Sequence, residues 1–386
     1  TGNLDNIDGL IRAVERRGGN PVPVFLQTYE DPITGSIGVK RILSEHLTRG
    51  GRPVLDCIIE TMSFSQTLVA TPGCGEQVCD ENFFASYGVP VIQAMTLSSD
   101  RLAWEGDVSG LNPSEVAYDV AHPEFDGQII SVPSASTERT PEGDRIYRSI
   151  PDRADRIADT AVMWGRLRRI LDSERKVAIL LYMYPPKTAN AGGAAGLDTF
   201  ASVVDLLHRM RDDGYDVGDS IPETPRELTE LLLAGLTNDL DWVSDEEVSR
   251  RALDVLSEGD YIRYYAELSE AARARLEEGW GAPPGEFYRA DGGLMIPGVV
   301  FGNVLVGFQP DRGRDIQKSY HDPHTVMPHQ YLGFYRWLRH VFGADAVVHV
   351  GTHGTLEWLP GKSVALSGDC CPDYVLDSIP DVYPYI

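Results

Sequence analysis

Apolar positions along this chain fall in short runs that alternate with amphipathic stretches. Leu4 to Arg17 has helical spacing and stops at Gly18-Gly19, a C-cap signal. Val22 to Leu26 reads as a short strand, Ser36 to Thr48 as a helix and Val54 to Ile59 as a buried strand. Glu81 to Tyr87 predicts a helix ahead of Gly88, Val89 to Gln93 a strand, Ser114 to Val120 a helix and Gln128 to Ile130 a last strand. Strand–helix alternation at this spacing predicts a parallel, helix-covered sheet. Ser134 to Gly143 is polar and predicts an exposed loop.

The pattern then starts again. A long helix is predicted over Arg153 to Asp172 and a strand over Lys176 to Tyr182. Pro185 to Gly196 is a Gly/Ala-rich loop, and Asp198 caps a helix that reaches Asp213. That unit has the form of an anion cradle or of a plain crossover. Thr224 to Gly281 is mostly helical and acidic, with a cap at Ser244-Asp245-Glu246-Glu247. Val299 to Gly307 returns to strand, Gln330 to Val341 to helix and Ala346 to Val350 to buried strand. The class is α/β, with parallel helix-covered sheets in more than one domain and an inserted helical subdomain. The expected divisions are an α/β domain over 1–150, a strand–Gly loop–helix unit over 151–222, the helical subdomain over 223–295 and an α/β region over 296–386.

Composition narrows the function classes. Hydrophobic residues make up 42% and charged residues 24%, as in a soluble globular protein. The longest apolar runs, Val177 to Tyr184 and Leu231 to Leu236, are too short to span a membrane, and no charged-then-apolar leader opens the chain. With 58 acidic against 34 basic residues the net charge is −24, which repels nucleic-acid phosphates. Cys57, Cys74, Cys79, Cys370 and Cys371 form no C-x-x-C pair, so they read as free thiols of a reduced, cytoplasmic protein. Cys74, Cys79 and Asp80 carry metal donors, but their Gly-rich setting reads as a local loop.

Candidate chemistry concentrates between Gly302 and Lys362, which holds six of the nine histidines. The strand Ala346 to Val350 delivers His349, Gly351, His353, Gly354 and Glu357 to its carboxyl end, where open α/β sheets place ligand chemistry. If Thr355 to Leu359 turn helically, His353 and Glu357 share a face. Imidazoles with a carboxylate suit a divalent transition metal, and equally proton transfer near neutral pH. Gly361-Lys362-Ser363 ends like a phosphate loop, but Leu356 stands where its first glycine belongs.

These residues also carry a resemblance. Gln309-Pro310-x-Arg312-Gly313, Tyr320-His321-Asp322-Pro323, Pro328-His329-x-Tyr331-Leu332, the G-T-H-G-x-x-E-W-L-P-G-K run from Gly351 to Lys362 and Pro380-x-x-Tyr383-Pro384-Tyr385-Ile386 are similar to the signature of the large subunits of cobaltochelatase and magnesium chelatase. Earlier pieces fit too, among them Val89-Pro90-Val91-Ile92-Gln93, Pro123-Glu124-x-Asp126-Gly127 and Trp280-Gly281-x-Pro283-Pro284-Gly285. Trp358 and Leu359 favour the cobalt branch over the magnesium branch. The family's large subunits are far longer than this chain, so the resemblance implies a fragment.

The resemblance implies insertion of a divalent metal into a tetrapyrrole: cobalt into a corrin-type ring, as in cobalamin biosynthesis, or, alternatively, magnesium into protoporphyrin. It also implies that ATP is used by a ring-forming ATPase subunit, alongside an accessory chelatase subunit, and not by this chain. On that reading Glu357 takes ring protons or hands over the metal, and His349 and His353 deliver metal or relay protons. Arg312, beside Gly313, and Lys362 hold peripheral carboxylates. His321, His324 and His329 form a second polar cluster, and Trp358 and Tyr320 stack on the ring. Two other readings are a non-catalytic tetrapyrrole-binding protein and a metal-dependent hydrolase built on His349, His353 and Glu357.

Overall fold

The computed structural model describes residues 3–26, 30–33, 35–63, 65, 83–241, 243–313, 322–352 and 354–384. The chain divides into two compact units, Thr1–Arg169 with Lys362–Gly368, and Ile170–Gly361 with Asp369–Ile386.

The first unit is built on a parallel three-stranded sheet of Ile58–Glu60, Val91–Gln93 and Ile129–Ile130. Leu10 and Ala13 of the helix Asp5–Arg16 meet Ile157, Ala158 and Ala161 of the helix Pro151–Arg166 over Ile92. Arg17 extends this contact with a fork onto Asp159, Nη2 to Oδ2 at 2.7 Å.

Three sequence expectations change here. Val22 to Leu26 is irregular, because Pro21 and Pro23 remove ladder donors. Ser36 to Thr48 is not one helix but a short strand Ser36–Ile37, an α-turn Gly38–Arg41 and a π-turn Ile42–His46, the break falling at Gly38 with φ +69°. The expected loop after Ser134 is the hairpin Ala135–Arg139 with Arg145–Ser149. Its polar residues mislead because their hydroxyls are satisfied inside: Ser134 donates to the Met95 carbonyl at 3.1 Å and Thr137 to that of Leu97 at 2.6 Å.

The second unit carries a five-stranded sheet in the order Val299–Phe301, Val304–Phe308, Val177–Leu181, Ala346–Val350, Asp381–Val382. The first strand is antiparallel to its neighbour and the other pairings are parallel. Every residue of Val177–Leu181 is buried, and strand periodicity divides them between two cores. Val177, Ile179 and Leu181 pack with Val203, Val204 and Leu207 of the helix Thr199–Asp212. Ala178 and Leu180 join the core of Tyr331, Phe334 and Tyr335 from the helix His329–Trp337, all nine of whose residues are buried. Asp198 caps the former helix as expected, accepting the Ala201 amide at 3.0 Å.

The stretch expected to be a helical subdomain holds the helices Pro225–Ala234, Asp245–Arg251, Glu258–Tyr265 and Glu270–Trp280. It also holds an antiparallel sheet of Asp254–Ser257, Gly293–Ile296 and Arg289–Ala290. Leu256, Tyr261 and Leu294 enter the same core as Tyr331, so this stretch packs as part of the second unit. The fold is mixed α/β, with a parallel sheet in the first unit and a mixed sheet in the second.

Candidate functional site at a sheet edge

In the second unit the strands end where the signature residues begin. Gln309 follows Val304–Phe308, Gly351 follows Ala346–Val350 and Tyr383 follows Asp381–Val382. His349 lies at the carboxyl end of its parallel strand, as expected. It is 4% exposed, and both ring nitrogens are engaged. Nδ1 meets Asp381 Oδ1 at 2.9 Å, so it carries the proton, and Nε2 accepts from the Tyr335 hydroxyl at 3.0 Å. Gln309 Nε2 bridges the hydroxyls of Tyr335 and Tyr331 at 2.8 and 3.0 Å, and Tyr331 continues to Thr355 Oγ1 at 2.8 Å. Burial raises both tyrosines, so they stay protonated. Gln309 Oε1 is buried with no partner among the described residues.

Glu357 stands differently: it is exposed, on the single 3₁₀ turn Leu356–Trp358. The Tyr383 hydroxyl donates to its Oε2 at 2.8 Å. The helical turn expected over Thr355 to Leu359 is only a 3₁₀ turn over Leu356–Trp358, with Thr355 outside it at φ −124°. His353, His321 and Tyr320 lie outside the described residues, as do Cys74, Cys79 and Asp80. Cys57, Cys370 and Cys371 are not joined in disulfides. Among the described residues no three His, Cys, Asp or Glu side chains converge to hold a metal ion.

The other candidates are drawn into the scaffold. Arg312 is 1% exposed and clasps backbone, donating to the Trp358 carbonyl and, at 2.8 Å, to that of Asp322. Gly313 donates its amide, with that of Arg312, to the Asp311 carboxylate. Asp322 closes its own turn, accepting the His324 amide at 2.9 Å and the Thr325 hydroxyl at 2.7 Å, and leaves His324 exposed. His329, 2% exposed, donates from Nε2 to the Gly281 carbonyl at 2.9 Å and accepts from Tyr261 at Nδ1 at 2.6 Å. Burial lowers its pKa, so the ring is neutral and no nitrogen is left for a ligand. Trp358 is half-buried. Lys362 belongs to the first unit, where its ammonium meets the carbonyls of Trp104, Glu105 and Asp107 at the end of the helix Arg101–Gly106. The suspected anion cradle holds an internal anion: Thr188 gives Asp239 both its amide and its hydroxyl, at 2.9 and 3.0 Å.

Sequence reasoning passed over Asp311. Burial pushes its carboxyl up to about 6 against the two amides that lower it. The available signal was an acid placed directly after Pro310 at a strand's carboxyl end. Tyr335, Asp381 and the Tyr383–Glu357 pair were also missed, because they are joined through space across 14 to 32 residues.

The CobN/Magnesium Chelatase family model matches residues 1–386. The chain is 39% identical over 306 residues to aerobic cobaltochelatase subunit CobN of Pseudomonas aeruginosa, covering 77% of this chain and 24% of that protein. It is 29% identical over 390 residues to magnesium-chelatase subunit ChlH of Oryza sativa subsp. indica, covering 100% of this chain and 26% of that protein. The solved catalytic subunit of cobaltochelatase from Mycobacterium tuberculosis superposes with a TM-score of 0.81 at 33% identity, covering 100% of this chain and 32% of that one. The chain therefore spans about a third or less of the length of these relatives. Among the described residues no helix is long and apolar enough to cross a membrane. Matched from its first residue to its last, the chain belongs to the CobN/magnesium chelatase family.

Proposed function

We propose that this chain is part of the tetrapyrrole-binding large subunit of an ATP-dependent chelatase that inserts cobalt into a corrin-type ring. The observation that carries the reading is an exposed carboxylate, Glu357, held by a tyrosine at the carboxyl edge of the sheet. Insertion requires that the ring be held, that its two inner N–H protons leave and that the metal shed water. Glu357 accepts ring protons or passes the metal, and His353 assists it. His349 acts through its neighbours, because Asp381 and Tyr335 occupy its nitrogens. Arg312 shapes the site by tying the 309–313 segment to the Glu357 turn. ATP is hydrolysed by a ring-forming partner subunit, with an accessory subunit completing the assembly.

Cobalt is favoured by Trp358-Leu359 and by the higher identity to the Pseudomonas cobaltochelatase subunit, 39% against 29% for the rice magnesium-chelatase subunit. The latter match spans the whole chain, which keeps magnesium insertion into protoporphyrin as the second reading. The test is insertion by the full-length protein with its partner subunits and ATP. Cobalt entering a corrin-type ring supports the first reading; magnesium entering protoporphyrin, without cobalt activity, replaces it with the second.

A further inference from the structure

The segment Asp381-Val382-Tyr383 contacts both His349 and Glu357. Asp381 and Val382 pair in parallel with Val347 and Val348, which makes the segment an edge of the five-stranded sheet. Asp381 on this strand and Tyr383 just after it reach different groups of the adjoining strand and turn. Asp381 accepts a hydrogen bond from His349 Nδ1 at 2.9 Å. Tyr383 donates to Glu357 Oε2 at 2.8 Å and accepts the Gly354 amide.

The local packing is shaped around that phenol. Its ring lies 5.2 Å from the His349 ring, centre to centre. A side chain at position 354 would put its Cβ 2.9 Å from the Tyr383 hydroxyl and 3.2 Å from His349 Cδ2, so Gly354 is what leaves room for the phenol. Burial first, and the Glu357 carboxylate second, raise the Tyr383 pKa, which keeps the hydroxyl a donor. A glutamate on a single 3₁₀ turn has several rotamers open to it, and a bonded, packed phenol selects among them.

We propose that Tyr383 is the positioning residue that fixes the Glu357 carboxylate, and that Asp381 braces the His349 ring against which the phenol packs. This rests on the reading of Glu357 as the group that accepts protons or passes the metal. The test uses the full-length assembly and three variants: Tyr383→Phe, Glu357→Gln and the double variant. Phe keeps the ring and removes only the hydroxyl.

With Tyr383→Phe, turnover should fall roughly 10- to 100-fold, the loss expected for one hydrogen bond to a charged group. KM for the macrocycle should stay unchanged, and the double variant should be no slower than Glu357→Gln alone. Normal turnover in Tyr383→Phe beside a silent Glu357→Gln overturns the positioning role and leaves Glu357 in place. So does a loss that appears in KM alone, or one that multiplies the loss of Glu357→Gln. Normal turnover in Glu357→Gln overturns the functional reading itself, whatever Tyr383→Phe does.

Discussion

The helix His329–Trp337 meets a buried histidine at each end, and the two settings differ. At its first residue His329 is closed in by Tyr261 and the Gly281 carbonyl. Toward its last turn Tyr335 meets His349, whose other nitrogen rests on Asp381, two residues before the tyrosine that holds Glu357. Burial alone therefore does not separate scaffold from site. What separates them is whether the histidine is closed in by backbone and scaffold or packs against the tyrosine that holds an exposed carboxylate.

Replacing each histidine by alanine should give the largest effects and can break this contrast. Each loses a packed ring and orphans buried partners, at about 3–5 kcal/mol of stability. Urea unfolding measures that loss. Insertion per folded molecule should survive His329→Ala and fall with His349→Ala. Equal falls would erase the distinction.

Asp311 sharpens it from the side of the carboxylates. Its folded pKa of about 6 lies above the ordinary value of 3.8, so the folded state holds the proton more tightly. The associated stability is complete below the unfolded value and is lost as pH rises through about 6. Asp311→Asn should remove that preference, lowering stability at acid pH relative to neutral pH by about 3 kcal/mol. An unchanged pH profile would remove the buried carboxylate from the account. A smaller effect is expected at Lys362. Lys362→Met removes a cation from a helix C-terminus, about 1 kcal/mol, and should leave macrocycle affinity unaltered. A drop in affinity instead would return Lys362 to the peripheral carboxylates.

What the sequence made legible was local. The apolar run before His349, the cap at Asp198 and the stop at Gly18 each depend on neighbours within a few residues, and each stands in the structure. The place of Glu357 on the turn after that strand was readable for the same reason. The hairpin after Ser134 was not, because its hydroxyls bond to carbonyls about 40 residues away. Nor was the inward turn of Arg312 and His329. A guanidinium or imidazole in a motif has the same letter whether it faces a ligand or a backbone carbonyl, and only the fold decides which.

The most direct measurement is insertion rate and macrocycle affinity for Glu357→Gln in the full-length, partner-complete assembly. The amide keeps shape and hydrogen bonding but neither takes a proton nor offers an anionic ligand. The account predicts that insertion is abolished or severely slowed while the macrocycle binds nearly as before. Normal insertion by the folded variant would contradict it and leave Glu357 as a local structural residue.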